Sequence, residues 1–233
     1  MAARMPLVLA AGLLCDETIW RPVADLLTDV AECHIIDFIG CRSMGAMADR
    51  LLAAAPPSFA LAGHSMGARV AIEACARARD RVARIALLNT GIHAVGAAEP
   101  ENRGVLVDLA RTRGMEALTD AWLPPMMSPA GRQDDALMRR LGAMVRRSTP
   151  ESFAGQIEAL LTRPDAETPL ATLSIPTLLL SATEDSWSPP AQHAAMLTLV
   201  PHARLVIVPG AGHMAPVEQP GRVAAALRDW LSR

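Results

Sequence analysis

The feature that most constrains this chain is the run Phe59-Ala60-Leu61-Ala62-Gly63-His64-Ser65-Met66-Gly67-Ala68. Apolar residues lead directly into Gly-X-Ser-X-Gly, and a helix-compatible segment follows from about Arg69. A strand that turns sharply into a helix holds the serine at the tip of the turn. Its hydroxyl then stands at the carboxyl edge of a sheet and at the N-terminus of a helix. Such a turn is strained and needs small neighbours, a demand that Gly63, Gly67 and Ala68 meet.

Strands and helices alternate around this element. Leu7 to Ala11 reads as a buried strand ending at Gly12, with Asp16 as an N-cap. Thr18 to Leu27 places Ile19, Val23, Leu26 and Leu27 on one helical face. Cys33 to Phe38 reads as a strand, and Met44 to Ala55 as an amphipathic helix stopped by Pro56-Pro57. After the Ser65 element, Arg84 to Asn89 is a fourth strand. Thr177 to Ser181 and Arg204 to Val208 supply two more, with helices over Pro190 to Leu199 and Gly221 to Leu231. Strands this apolar, separated by helices, predict an α/β fold: a mostly parallel central sheet of about six strands, covered on both faces.

The rhythm breaks between Ile92 and about Thr172. This stretch holds helical patches at Val105–Ala110, Met115–Trp122, Ala136–Val145 and Phe153–Leu161 and no convincing strand. It reads as a helical cap over 93–172, inserted into a core formed by 1–92 and 173–233. Met115, Met126, Met127, Met138 and Met144 are expected to fill its interior.

Composition narrows the function classes. Of 233 residues, 51% are apolar and 20% charged, as in a globular chain, and formal net charge is −2. No basic excess predicts nucleic-acid or anionic-membrane binding. All 22 basic residues are arginines and tyrosine is absent, which excludes Schiff-base lysines and tyrosine acids. Cys15, Cys33, Cys41 and Cys75 form no C-x-x-C pair and lack histidines at ligand spacing, so they read as core residues in a reducing compartment. Met1 to Cys15 superficially resembles a secretory or lipoprotein signal. However, Leu14 occupies the position before Cys15 where a small residue belongs, and Pro6 interrupts the run. No run reaches membrane-spanning length. The expectation is a cytoplasmic protein with no membrane partner.

The chemistry falls just after three apolar strands. Ser65, Asp185 and His213 occur in the order nucleophile, acid, base. Catalytic groups of open parallel sheets gather at the carboxyl ends of the strands. Serine is a weak nucleophile at neutral pH and needs a general base. Histidine supplies it when a carboxylate holds the other ring nitrogen. Glu184, beside Asp185, remains open as the acid. His64 reads as packing or solvated, His93 as a surface loop residue, and His34, His193 and His202 as solvated or structural. Asn89 ends a strand where an acid could stand, but an amide is no acid. Glu218 reads as a helix-start residue.

With these motifs the chain resembles the α/β-hydrolase fold superfamily over nearly its whole length. Gly63 to Gly67 matches its nucleophile elbow, Asp185 to Pro189 its acid turn, and Gly212-His213-Met214 with Glu218 and Pro220 its histidine loop. Two departures stand out. Ala11-Gly12 replaces the usual His-Gly of the oxyanion loop, and the first strand is expected to correspond to the family's third, without the preceding hairpin. The resemblance implies an oxyanion hole from the backbone N–H groups of Leu13 and Met66. It also implies a serine hydrolase that forms an acyl-enzyme on Ser65, with no metal or organic cofactor. The expected substrate is a small, moderately hydrophobic carboxylic ester, with Leu14, Trp122, Met126 and Trp187 as pocket candidates. The same triad also serves C–C bond, thioester and lactone hydrolases and perhydrolases, and the scaffold also serves as a non-catalytic ligand-binding receptor. Oligomeric state is not legible.

Overall fold

The computed structural model describes residues 4–232. The first three residues of the signal-like stretch therefore lie outside the described residues. The rest of that stretch is built into the sheet, as strand β1 (Met5–Ala10).

Five more strands follow: β2 (Ala31–Ile36), β3 (Phe59–His64), β4 (Val82–Leu88), β5 (Thr177–Ala182) and β6 (Arg204–Val208). They form one six-stranded sheet in the order β2-β1-β3-β4-β5-β6, and every pairing is parallel. Each residue of β3 and β5 is buried. Strands covered on both faces need near-continuous apolar sequence, which Phe59–His64 and Thr177–Ala182 supply.

Helices connect the strands. The first crossover carries a 3-10 turn over Glu17–Ile19 and a short helix α1 (Arg21–Asp25). Asp16 caps the turn, its side chain accepting from the Thr18 N–H. The continuous helix expected over Thr18–Leu27 is therefore split, and the 3.6-residue phase does not carry through to Leu26. That residue is 46% exposed while Ile19, Val23 and Leu27 are buried. Helix α2 (Met44–Ala54) is capped by Ser43 and stops before Pro56, and α3 (Met66–Arg77) follows β3 directly.

Between β4 and β5 the regular elements are all helices. Its helices are α4 (Glu99–Met126), α5 (Pro129–Gln133), α6 (Asp135–Arg146), α7 (Pro150–Leu161) and α8 (Glu167–Ala171). Two of the expected patches, Val105–Ala110 and Met115–Trp122, belong to α4, which is broken at Gly114 by a φ of 79°. Arg147, just after α6, pairs with Asp16 and donates to Thr18, tying this insertion to the β1 loop. The chain closes with α9 (Pro190–Leu199), α10 (Ala215–Glu218) and α11 (Pro220–Leu231). Among the described residues no helix is long and apolar enough to cross a membrane.

The register sets the functional edge. Ala10 pairs with Gly63, His64 with Leu88, Leu88 with Leu180, and Ala182 with Val208. The carboxyl ends of five strands are thus level, and the loops after them converge. Two glycines make the central turn possible. A Cβ on Gly67 would overlap the carbonyl oxygens of Ala10 and Ala11, and one on Gly63 would overlap the backbone of Gly67 and Ala68.

Gly67→Ala is expected to destabilise the fold by about 3 kcal/mol or more, because backbone cannot yield as a side chain can. Gly104→Ala provides the control, since its Cβ would meet nothing within 4 Å inside α4. There, better helix propensity should stabilise by about 0.5–1 kcal/mol. Urea unfolding of the two variants checks both signs.

Candidate active site

Ser65 stands between β3 and α3 with φ 55° and ψ −119°, outside the regions that side-chain-bearing residues favour. Its neighbours over-determine that conformation. The Ser65 N–H donates to the Leu88 carbonyl (2.9 Å), and the Thr90 hydroxyl donates to the Ser65 carbonyl (3.1 Å). The Oγ lies 2.8 Å from His213 Nε2.

His213 reaches this position from the loop after β6. Its Nδ1 lies 3.0 and 3.1 Å from the two carboxylate oxygens of Asp185. Asp185 also accepts from the Trp187 and Ser188 N–H groups (2.9 Å each) and from Asn89 Nδ2 (2.9 Å). The carboxylate is buried, which by itself would raise its pKa. The His213 ring and the hydrogen bonds from Asn89 and Ser188 overcome that and hold it well below the usual carboxylate range. With the Nδ1 proton held against a fixed carboxylate, His213 Nε2 is left free to accept the serine proton. Glu184 takes no part in this chain of bonds. It leaves the strand end with its N–H on the Ala211 carbonyl, and its side chain is exposed.

Two backbone N–H groups beside the cavity are left without partners. Among the described residues neither the Leu13 N–H nor the Met66 N–H has a hydrogen-bond acceptor in the protein, and both residues line the cavity above Ser65. The Leu13 loop is shaped by Leu14, which has φ 60° and gives its N–H to Gln156 Oε1 on α7 (3.0 Å).

Supports surround these groups. His64 is buried and donates from Nε2 to the His213 carbonyl (2.8 Å), so it packs beneath the histidine loop and is not solvated. Burial first, then the His213 ring, lowers its pKa to about 3. His193, fully buried on α9, accepts the Thr90 N–H at Nε2 (3.2 Å), and burial lowers its pKa to about 4. Glu218 accepts the N–H groups of Gly212 (3.0 Å) and Ser128 (2.9 Å). It therefore staples the histidine loop to the helical insertion, a role beyond that of a helix-start residue. His202 Nε2 lies 3.2 Å from the Ile175 carbonyl, remote from the site.

The cavity above Ser65 has a volume of about 510 Å³, within the usual range for small-molecule sites. Trp122, Met126 and Trp187 line it, as do Leu106, Ile157 and Leu160 from the insertion. Leu14 does not. Its positive φ turns the side chain into the core, where it is 2% exposed, and Cys15 takes a place on the wall. Burial pushes the Cys15 thiol far up, so it presents no thiolate. The four cysteines are free thiols. His93, expected on a surface loop, lies at the exposed rim of the cavity and lines it. Sequence reasoning passed over Arg69, Glu99, Arg103 and Arg163, which gather at that rim. Among the described residues no group of three or more His, Cys, Asp or Glu side chains is placed to hold a metal ion.

Residues 7–226 match the alpha/beta hydrolase family. The chain belongs to that family. Its relatives in it include esterases. It is 27% identical over 241 residues to a pimeloyl-[acyl-carrier protein] methyl ester esterase of Photobacterium profundum, covering 97% of this chain and 94% of that protein. It is 25% identical over 240 residues to the biotin biosynthesis bifunctional protein BioHC of Cellvibrio japonicus, but spans only 47% of that protein's length. Among solved structures, a thermophilic esterase from Thermogutta terrifontis superposes with a TM-score of 0.88 at 30% identity, covering 98% of this chain and 89% of that one. An enol-lactonase from Burkholderia xenovorans LB400 shares the fold, with a TM-score of 0.88 at 24% identity over 100% of this chain and 93% of that one. As an alpha/beta hydrolase with such relatives, the protein is a hydrolase.

The buried histidines make stability depend on pH. His64 and His193 have folded pKa values of about 3 and about 4, against about 6.5 unfolded. Between pH 6.5 and 4 the unfolded chain binds up to two protons that the folded chain refuses. Stability therefore falls as pH falls through that window, by up to about 2.7 kcal/mol per pH unit at its steepest. Asp185 and Glu99, both depressed, add their loss only below the unfolded carboxylate range near pH 4. Urea midpoints measured from pH 7 to 4 should show this slope, and His193→Gln should roughly halve it.

Proposed function

We propose that this alpha/beta hydrolase cleaves small carboxylic esters through an acyl-enzyme on Ser65. The observation that carries the reading is the unbroken Ser65–His213–Asp185 hydrogen-bond chain, placed beneath two unpartnered backbone N–H groups. The naming of relatives as esterases supports the reaction class.

In this reading Ser65 Oγ attacks the ester carbonyl as His213 Nε2 takes its proton. Asp185 orients the ring and stabilises the imidazolium. The Leu13 and Met66 N–H groups receive the negative charge that develops on the carbonyl oxygen. His213 then gives its proton to the departing alkoxide, and the alcohol leaves. A water molecule attacks the acyl-enzyme, its proton going to His213. Collapse of the second tetrahedral species releases the acid, and the proton returns to Ser65 Oγ. The segment 93–172 acts as a cap that shields these steps from bulk water. Trp122, Met126 and Leu106 pack the apolar part of the substrate.

Turnover of a chain-length panel of p-nitrophenyl esters tests this reading, with Ser65→Ala beside the wild type and an active-site phosphonate as label. Ser65→Ala should lower kcat by about 10⁶, and the label should sit on Ser65. A mutant that hydrolyses as well as wild type overturns the mechanism.

Asn89→Gly probes the support of the acid. Asn89 has φ 49°, so glycine keeps the backbone while removing the amide that holds Asp185. Loss of a hydrogen bond to a charged group should lower kcat/KM by roughly 10- to 100-fold.

A further inference from the structure

At the rim of the cavity the charges do not balance. Arg69, Arg103 and Arg163 all line it, and the one carboxylate among them is Glu99. Both Glu99 oxygens are already committed. Arg163 donates to them at 2.6 and 2.7 Å, and Arg103 donates at 2.8 Å. These bonds overcome burial and draw the Glu99 pKa down to about 2. Three guanidinium groups therefore face one fully occupied carboxylate.

Arg69 is the unmatched member. It is 8% exposed and its single protein acceptor among the described residues is the His93 carbonyl, at 2.6 Å. A guanidinium carries five N–H donors. The acidic residues nearest its other side are engaged elsewhere: Asp165 is exposed and accepts the Glu167 and Thr168 N–H groups, and Glu73 pairs with Arg77. Burial, and then the neighbouring Arg163, lowers the Arg69 pKa to about 10, so its charge survives at neutral pH. Merely holding the His93 carbonyl does not account for it. Any neutral donor could do that, whereas burying a charge with one carbonyl as partner is costly.

Arg69 also shares the cavity with the nucleophile. It stands in the first turn of α3, which begins directly after Ser65, and both residues line the same cavity. A planar guanidinium with open donors is the group suited to a carboxylate.

We infer that the cavity rim formed by Arg69, Arg103 and Arg163 is a carboxylate-binding subsite, and that the substrate is an ester bearing a free carboxylate a few bonds from its scissile carbonyl. This rests on the ester-hydrolase reading of Ser65 and narrows it. The apolar wall holds the short spacer, and Arg69 holds the charged end.

Two substrate pairs test the inference, each an anionic ester beside a neutral one of similar length. Monomethyl glutarate and methyl pentanoate place the carboxylate on the acyl side, read as methanol released. O-butanoyl glycolate and ethyl butanoate place it on the alcohol side, read as butanoate released. Wild type should favour the anionic member of one pair by about 10- to 100-fold in kcat/KM. Arg69→Gln should reduce that ratio by a similar factor, and Arg69→Lys should recover part of it. Using a ratio cancels general damage to the enzyme. If Arg69→Gln fails to fold, Arg103→Gln should lower the same ratio at least about threefold. Absence of anionic preference in both pairs, or a ratio indifferent to these substitutions, overturns the subsite.

Calorimetric binding of glutarate to the Ser65→Ala protein separates this inference from the hydrolase reading. Saturable binding that Arg69→Gln abolishes upholds the subsite, even if no ester is turned over. Ser65-dependent hydrolysis of the neutral esters without glutarate binding upholds the hydrolase and sinks the subsite.

Discussion

The backbone strain at Ser65 is the constraint on which the rest of the site depends. A serine at φ 55° does not hold that conformation by itself. It is held by the Leu88 carbonyl, the Thr90 hydroxyl and the close approach of α3 to the end of β1. That approach requires Gly63 and Gly67, because a Cβ at either would collide with backbone. The turn places the Ser65 hydroxyl at the cavity, and Met66, as the first residue of α3, has an N–H with no intrahelical partner.

A second requirement follows from burial. Asp185 is ionised in a place where a lone carboxylate would not be. Three protein donors and the His213 ring make that possible. The donors are of two kinds. Trp187 and Ser188 offer backbone N–H groups from the tight turn after β5. Asn89 offers a side-chain amide from the end of β4, at another left-handed position. The His213 loop is fixed from below by His64 and from the side by Glu218, which also binds Ser128 of the insertion. Glu218 thus joins the helical insertion to the loop that carries His213.

The insertion gives the cavity two unlike ends. Trp122, Met126, Ile157 and Leu160 make one wall apolar, in keeping with the Met- and Leu-rich sequence of the segment. The rim carries arginines from α3, from α4 and from just beyond α7. The loop 91–98 is held between two of them, Arg69 donating to the His93 carbonyl and Arg163 to that of Ala94.

Much of the architecture was legible because the signals are local. Continuous apolar runs announce buried parallel strands, Pro56 and Ser43 bound a helix, and Gly-X-Ser-X-Gly after an apolar run announces the elbow. The order of Ser65, Asp185 and His213 was readable because each follows a strand whose carboxyl end must share one edge. The split of the first helix at Trp20 has a local cause that was passed over, Pro22, which has no N–H to give to the preceding turn. The inward turn of Leu14 was not readable, since it depends on Gln156 far along the chain. The arginine cluster was hidden for the same reason. Arg69, Arg103 and Arg163 are scattered among 22 arginines, most of which face solvent, and only tertiary packing buries these three beside a single glutamate. By itself the sequence determined the sheet, the elbow and the strand ends on which Ser65, Asp185 and His213 stand, because short-range sterics and hydrophobic periodicity act within a few residues. The tertiary structure decided the cavity and its charge, because burial and Coulomb interaction belong to the distances between groups in space and not to their positions along the chain.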